Sequence, residues 1–336
     1  MTPLWLRGCA FPAVSVFFLF TAIGMRAETC QTTSDMDETT RAALSAAGQR
    51  YFDMVVKGDA SALRQNAVPS VASDFSAIES TVKEYQQALA GSAGVARPAF
   101  LLDAEGTTTI AKAEFYCGVF GKSGQTARSA VFSLNDLPPG KYGIVILDAD
   151  SAKIPMTVSL VLQQIGTDWK LGGLYIKATQ IAGHDSGWFL SHAREYKAKG
   201  QLHNASLYYL EAYSLISPLP FMSTAATDKL YDESHGLQPT DFPVGGKPVE
   251  LAAGGATYKL TELYPEAFGN DLNLTVKYQA SDISNTNQTY QNSVALIKAL
   301  VAKYPEIRDA FAGVVARAVD PSGRDYGTLL AMKEIK

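Results

Sequence analysis

Cysteine, histidine and clustered basic residues are scarce in this sequence, and each shortage excludes a class of function. The chain has three Cys and four His, and no two histidines stand at the i, i+4 spacing of a helical zinc site. We therefore predict no metal site and no cofactor. Its 29 Lys and Arg face 33 Asp and Glu without the basic patch that nucleic-acid binding requires, so nucleic acid is not an expected partner.

Long apolar runs are also missing, except at the start of the chain. Residues 9–25 are apolar and follow a positively charged start that has no acid, which is the order of a secretory signal peptide. We predict residues 1–27 as that signal, cut after Gly24 or Ala27, with an uncleaved N-terminal anchor as the alternative. Loss of its two arginines would change the formal net charge from −4 to −6. No later run reaches membrane length, so we expect a periplasmic or secreted protein without a membrane span.

Two cysteines, Cys30 and Cys117, follow the predicted signal. In an oxidising compartment two cysteines of one chain often pair, which makes a bridge between them one prediction. A packed Cys117 with a free Cys30 is the other, because the sequence does not give their Cα separation. Neither belongs to a Cys-x-x-Cys pair, so thioredoxin-like redox chemistry is not expected.

The hydrophobic period changes along the chain and divides it into regions. Helical spacing between residues 37 and 90 is followed by six strand-like runs up to residue 177, and helical spacing returns in residues 185–217. Helices followed by strands indicate an α+β layer. We predict a signal peptide (1–27), an α+β domain (28–180), a helical hairpin with a connecting helix (181–235) and a small C-terminal α+β domain (236–336).

The first α+β region resembles the NTF2-like family, in which helices lie in a curved antiparallel sheet that forms a cone. The motif YFxxVVxGD over residues 51–59, the long run at 156–164 and the closing run at 167–176 carry the resemblance. Enzymes and inert binding modules share this fold, so it assigns no function by itself. In the enzymes a buried Asp, Tyr or His acts as acid or base, and Glu114 and Tyr116, on one face of a predicted strand, are the polar pair to inspect.

The helical hairpin resembles a single tetratricopeptide repeat, although Phe189 replaces the usual Trp and no second copy follows. In such a hairpin, alanines let two helices approach and tyrosines fill the seam. A lone repeat cannot bury its own apolar face, so we expect it to pack on a neighbouring domain or a partner chain. The residues expected to pack are Phe189, Ala193, Tyr196, Ala205, Tyr209 and Ala212.

These patterns favour a non-enzymatic binding or scaffolding protein of the cell envelope, whose partner is another envelope protein or a small apolar ligand. The alternative is an enzyme or a small-ligand-binding protein that uses the cone pocket. An enzyme needs an open pocket with convergent polar groups, whereas a scaffold has a filled cone and an exposed apolar groove. The sequence leaves the oligomeric state open.

Overall fold

The computed structural model describes residues 28–120, 124–237, 239–243 and 247–336, so the predicted signal peptide lies outside the described residues. Helices and mainly antiparallel sheets are both abundant, which makes the protein an α+β fold. The helices are α1 (Glu38–Lys57), α2 (Ala60–Gln65), α3 (Pro69–Ser73), α4 (Ser76–Leu89), α5 (Ser186–Ala198), α6 (Leu202–Ile216), α7 (Ala225–Ser234) and α8 (Thr286–Lys303).

Sixteen strands lie in the described residues. The strands of the first half are β1 (Thr29–Thr32), β2 (Val95–Ala96), β3 (Phe100–Ala104), β4 (Ile110–Cys117), β5 (Ala130–Leu137), β6 (Gly140–Ala149), β7 (Met156–Ile165) and β8 (Asp168–Ala178). Those of the second half are β9 (Gln180–Ile181), β10 (His184–Asp185), β11 (Met222–Thr224), β12 (Val249–Ala253), β13 (Ala256–Phe268), β14 (Asp271–Gln279), β15 (Gly313–Val319) and β16 (Asp325–Ala331).

The first sheet has the order β1-β3-β6-β7-β8, with β2 also paired to β6. Helices α1 and α4 cover one of its faces. Helix α1 begins where the Asp37 side chain accepts a hydrogen bond from the Thr40 N–H at 2.8 Å, and it ends at Gly58, whose φ of 70° is readily adopted by glycine. The opening motif of the sequence therefore lies on a helix that is fixed at both ends.

A second sheet, of order β11-β5-β4, covers the other face of the first. The central strand β6 is consequently buried on both sides. Val145 and Leu147 point to the helices, while Ile144 and Ile146 point to the second sheet. This double burial explains why β6 is a continuous apolar run in the sequence and does not alternate with polar residues.

The third sheet has the order β12-β13-β14-β15-β16, and the hairpin α5–α6 shares its hydrophobic core. Strands β14 and β15 are parallel, and α8 connects them. The core that unites this sheet, α8 and the hairpin is the largest apolar cluster in the described part of the chain.

Residues 214–224, which we call the crossover segment, connect the hairpin to the second sheet. Strand β11 at its end pairs with β5, and Leu219 and Met222 are buried in the core between the first two sheets. The hydroxyl of Ser159 on β7 donates to the Pro218 carbonyl at 3.2 Å. The two halves of the chain are therefore joined by hydrogen bonds as well as by apolar contacts.

Several element boundaries differ from the sequence-based expectations. The helical spacing between residues 37 and 90 predicts a helix from Ala60 to Val68, but α2 ends at Gln65, because Ala67 forms a parallel bridge with Leu171 and the Val68 N–H donates to the Leu171 carbonyl at 2.9 Å. Strands β1, β2, β11 and β12 were not predicted, since they are short and lie at sheet edges. Among the described residues, no helix combines the length and apolar character needed to cross a membrane.

Candidate functional site

Side chains fill the interface between α1 and the first sheet. A Cβ built on Gly48 of α1 would lie 2.6 Å from Val145 Cγ1, and one built on Gly143 of β6 would collide with the Leu44 side chain. Tyr51 and Phe52, which carry the opening motif, are 0% and 1% exposed in this layer. Direct contact between helix and sheet at both glycines leaves no room for a ligand there.

The hydroxyl of Tyr51 is a polar group at this interface, and its role is structural. It lies 2.8 Å from the Asn66 carbonyl and 2.9 Å from the Trp169 carbonyl. Burial raises the pKa of Tyr51 above its ordinary value. The Tyr51 hydroxyl stays protonated and faces two carbonyl acceptors. It thereby joins α1 to the start of β8, and it has no free proton to exchange.

Glu114 and Tyr116 come together, but on a solvent-facing surface. The Tyr116 hydroxyl donates to Glu114 Oε2 at 2.8 Å, and Lys112 Nζ lies 2.6 Å from Glu114 Oε1. Phe115, between them in sequence, points into the core, and Tyr116 is 44% exposed. Hydrogen bonds from Lys112 and Tyr116 lower the pKa of Glu114, whereas a general acid at neutral pH needs a raised one. Glu114, Tyr116 and Lys112 therefore form a network of hydrogen bonds and an ion pair on the protein surface.

Cys30 and Cys117 are joined by a disulfide, with their Cα atoms 5.0 Å apart. Cys30 lies on β1 opposite Leu102 of β3, and Cys117 is buried at the end of β4. The bridge therefore connects an edge strand of the first sheet to the second sheet. Thr32 of β1 and Gly118, next to Cys117, line the second of the two cavities described next.

An open cavity of about 450 Å³ lies where the first two sheets meet the crossover segment. Its floor is apolar and is formed by side chains from four separate elements. A second cavity of about 490 Å³ adjoins it and shares five lining residues with it. We call the two together the arginine groove. The floor residues are Phe100, Ile146, Ile216 and Met222, and the shared residues are Pro98, Phe100, Thr126, Arg128 and Ser129.

Three arginines border the arginine groove and differ in their partners. Arg97 binds the Asp148 carboxylate through two hydrogen bonds, at 2.7 and 2.8 Å, which neutralises its charge. Arg128 lines both cavities and Arg41 the second, and neither forms an ion pair within the described ranges. Asp35 supplies one carboxylate to the second cavity, where it accepts hydrogen bonds from Thr32.

On the other side of the crossover segment, a cleft of about 670 Å³ contains Lys177. Its ammonium donates to the carbonyls of Ser214 and of Ser217, the latter at 2.8 Å. Carbonyls at a helix C-terminus lack partners within the helix and attract a positive charge. Burial lowers the pKa of Lys177 and raises that of Glu211, one turn earlier on α6, to about 7. Lys177 therefore caps α6, and its positive charge partly offsets the effect of burial on the pKa of Glu211.

The six hairpin residues expected to pack are all buried, and they belong to the core that includes the third sheet. The hydroxyls of Tyr208 and Tyr196 donate to the carbonyls of Ala310 and Asp309, at 2.7 and 3.0 Å. Leu210 and Tyr213 stay partly exposed on the outer side of α6. The hairpin thus docks on the C-terminal region of the same chain.

His203 of the hairpin lies between two carboxylates, Glu306 and Asp241, that come from distant parts of the chain. Its Nδ1 is 2.6 Å from Glu306 Oε1, and its Nε2 is 3.0 Å from Asp241 Oδ1. Because the acids sit on opposite sides of the ring, they cannot converge on one ion. In the part of the chain that the structure describes, no group of His, Cys, Asp and Glu is arranged to hold a metal.

The arginine groove was missed at the sequence level because it is assembled from distant segments. Arg41, Arg128 and Met222 lie on α1, on the loop before β5 and on β11, and none stands in a recognisable motif. The one usable signal was the pair Arg97-Pro98 ahead of an apolar strand, which by itself indicates a turn. The chain matches no protein-family model, no curated protein and no solved structure.

Proposed function

We propose that this is a non-enzymatic binding protein of the cell envelope, and that it holds a ligand or a partner at the arginine groove. One observation carries the proposal: the groove is open and combines an apolar floor with two arginines that form no ion pair among the described residues, while the interface of α1 with the first sheet is closed by direct contact. Ligand sites are concave and largely apolar, with a few polar groups that fix orientation.

The arrangement of ionisable groups supports binding in preference to catalysis. Catalytic acids and bases have perturbed pKa values and face a cavity where substrate can reach them. Glu114 and Tyr116 face solvent, and Lys177, which lines a cleft, has its ammonium engaged by two carbonyls. If the occupant is a small ligand, we place it in the arginine groove and not in a cone pocket.

We also keep the NTF2-like interpretation for the first region and the tetratricopeptide-like interpretation for the hairpin. The burial of the opening motif against the first sheet and the full burial of Ala193, Ala205 and Ala212 support these interpretations. On this view the cone is filled by side chains, and the single repeat is covered by the C-terminal sheet. Neither unit then offers its usual binding surface. The remaining place for a ligand is the arginine groove, beside the crossover segment that connects the two units.

Export is part of the proposal. Its support is the signal-like pattern of residues 1–27 together with the disulfide, since such bridges persist in oxidising compartments. We propose the periplasm or the external medium as the location, with the mature chain beginning at Met25 or Glu28.

Expression of the full chain in a bacterial host, followed by fractionation and native mass spectrometry, tests the proposal. We expect the cut chain outside the cytoplasm, carrying a bound molecule or partner that denaturation releases chemically unchanged after long incubation. An uncut chain retained in the cytoplasm would contradict the location. Steady conversion of the bound molecule into a product would contradict a non-enzymatic role.

A further inference from the structure

The shape of the arginine groove limits the size of its occupant. The apolar cavity, at about 450 Å³, is near the lower end of the range of about 300–1,000 Å³ for small-molecule sites. Its floor is formed by rigid buried side chains, since Phe100, Ile146 and Met222 are each less than 10% exposed. A single alkyl chain suits such a volume better than two chains or a folded partner.

The polar groups at the rim are mostly engaged within the protein. The Ser129 hydroxyl donates to the Gly118 carbonyl at 2.7 Å and accepts from the Thr126 N–H at 2.9 Å. The Arg128 N–H is bound by the Thr126 hydroxyl at 3.2 Å. Arg41 Nη1 donates one long hydrogen bond to the Thr33 carbonyl, at 3.4 Å. Of the described rim groups, the guanidinium groups of Arg41 and Arg128 have the remaining strong donors for a ligand.

The charge at the rim is complementary to a single negative charge. Arg97 is neutralised by Asp148, so the described residues of the second cavity provide two cations, Arg41 and Arg128, against one carboxylate, Asp35. The second cavity therefore has an excess of one positive charge. It adjoins the apolar cavity of about 450 Å³, which we call the chamber. Guanidinium groups suit carboxylates because their planar N–H donors can engage both oxygens.

We infer that the arginine groove binds a single-chain alkyl carboxylate, a fatty-acid-like monoanion. Its tail occupies the chamber over Phe100, Ile146 and Met222, and its carboxylate lies at the rim beside Arg128 and Arg41. This inference rests on the proposed binding function and supplies the class of the ligand.

Calorimetric titration of the mature protein with decanoate, below the concentration at which it forms micelles, is the primary test. Decanol, decyltrimethylammonium and decyl phosphate are the matched probes with zero, positive and greater negative charge. We expect saturable one-to-one binding of decanoate that is tighter than that of each of the other three. Equal binding of decanol would overturn the role of the arginines, and tighter binding of decyl phosphate would overturn the choice of a carboxylate.

Variants locate the site. The double change Arg41→Gln with Arg128→Gln should weaken decanoate binding about tenfold, since each exposed ion pair is worth up to about a factor of five, and should leave decanol binding unchanged. Lys259→Gln removes one positive charge from an exposed position on β13 and should change neither. Equal loss in the Lys259 variant would show non-specific attraction and overturn the assignment.

A blocking variant separates the tail from the head. Ala226, exposed at the start of α7, lines the chamber, so Ala226→Trp should fill it and abolish binding of decanoate and decanol alike. Full decanoate affinity in a folded Ala226→Trp protein would overturn the inference. If native mass spectrometry finds another bound partner while decanoate does not bind, this inference fails and the proposed binding function stands.

Discussion

The buried carboxyl of Glu211 makes the stability of the protein depend on pH. Glu211 is 7% exposed, and burial raises its pKa from an ordinary 4.5 to about 7. The folded protein thus holds this proton more tightly than the unfolded chain does. The free energy of unfolding therefore falls as pH rises from about 4.5 to about 7, and the cost is complete above that window. A shift of this size corresponds to at most about 3 kcal/mol, and it is the net of burial, which raises the pKa, and the charge of Lys177, which lowers it.

Glu211→Gln keeps the size of the side chain and removes the buried charge. We expect the variant to be more stable than the parent at about pH 8, by about 1–3 kcal/mol, and equally stable at about pH 4, where Glu211 is protonated in the fold. Urea unfolding at the two pH values measures the difference. Glu195→Gln, at an exposed position of α5, is the control and should change little. A Glu211→Gln protein that is less stable at about pH 8 would show that the carboxylate contributes more through Lys177 than its burial costs.

At the scale of elements, the disulfide between β1 and β4 closes a long loop. Cys30 and Cys117 are 87 residues apart in sequence, and the chain-entropy model gives about 4–5 kcal/mol for closing a loop of that size. We expect the paired change Cys30→Ser with Cys117→Ala to lower the free energy of unfolding by about 2–5 kcal/mol. Thermal unfolding with and without reductant measures it. Reductant should destabilise the parent and have no effect on the variant; an unchanged parent midpoint in reductant would refute the bridge.

The contact between the two hairpin helices is the second element-scale feature that a substitution can test. Ala205 is fully buried where α6 meets α5, so Ala205→Leu forces the helices apart and should cost about 1–3 kcal/mol of stability. Ala198→Leu, at an exposed position near the end of α5, is the matched control and should have little effect. A parent-like midpoint for Ala205→Leu, measured by thermal unfolding, would mean that the hairpin is not a tightly packed docking element.

At the scale of the whole molecule, the sequence predicted the longer helices and strands, but neither the short helix α3 nor how the layers meet. Periodicity located α1, α4 and β6 because their burial leaves a repeating apolar pattern. Periodicity also predicted that Glu114 and Tyr116 lie on one face of a strand. The alternation of side chains along a strand does not say which face meets the core when a second sheet is present. The edge strand β1 has the sequence TCQT, and backbone pairing with β3 holds it, which leaves little signal in side chains.

The arginine groove could not be predicted from the sequence for the same reason. Phe100, Ile146 and Met222 belong to β3, β6 and β11, and each is an ordinary core residue in its own segment. They form one floor because the crossover segment brings β11 onto the second sheet, where Met222 pairs with Phe132, 90 positions earlier in the sequence. Local pattern contains no information on such pairing, so the site becomes visible in the assembled fold.

The central claim is that ligand binds in the arginine groove and not between α1 and the first sheet. Photolabelling with a decanoate analogue that carries a diazirine at the end of its tail, followed by peptide mass spectrometry, tests it directly. We predict saturable labelling of the chamber residues Phe100, Ile146, Ile216 or Met222, and loss of that labelling when unlabelled decanoate is in excess. Competed labelling of Leu44, Gly48 or Val145 at the interface of α1 with β6 would contradict the claim.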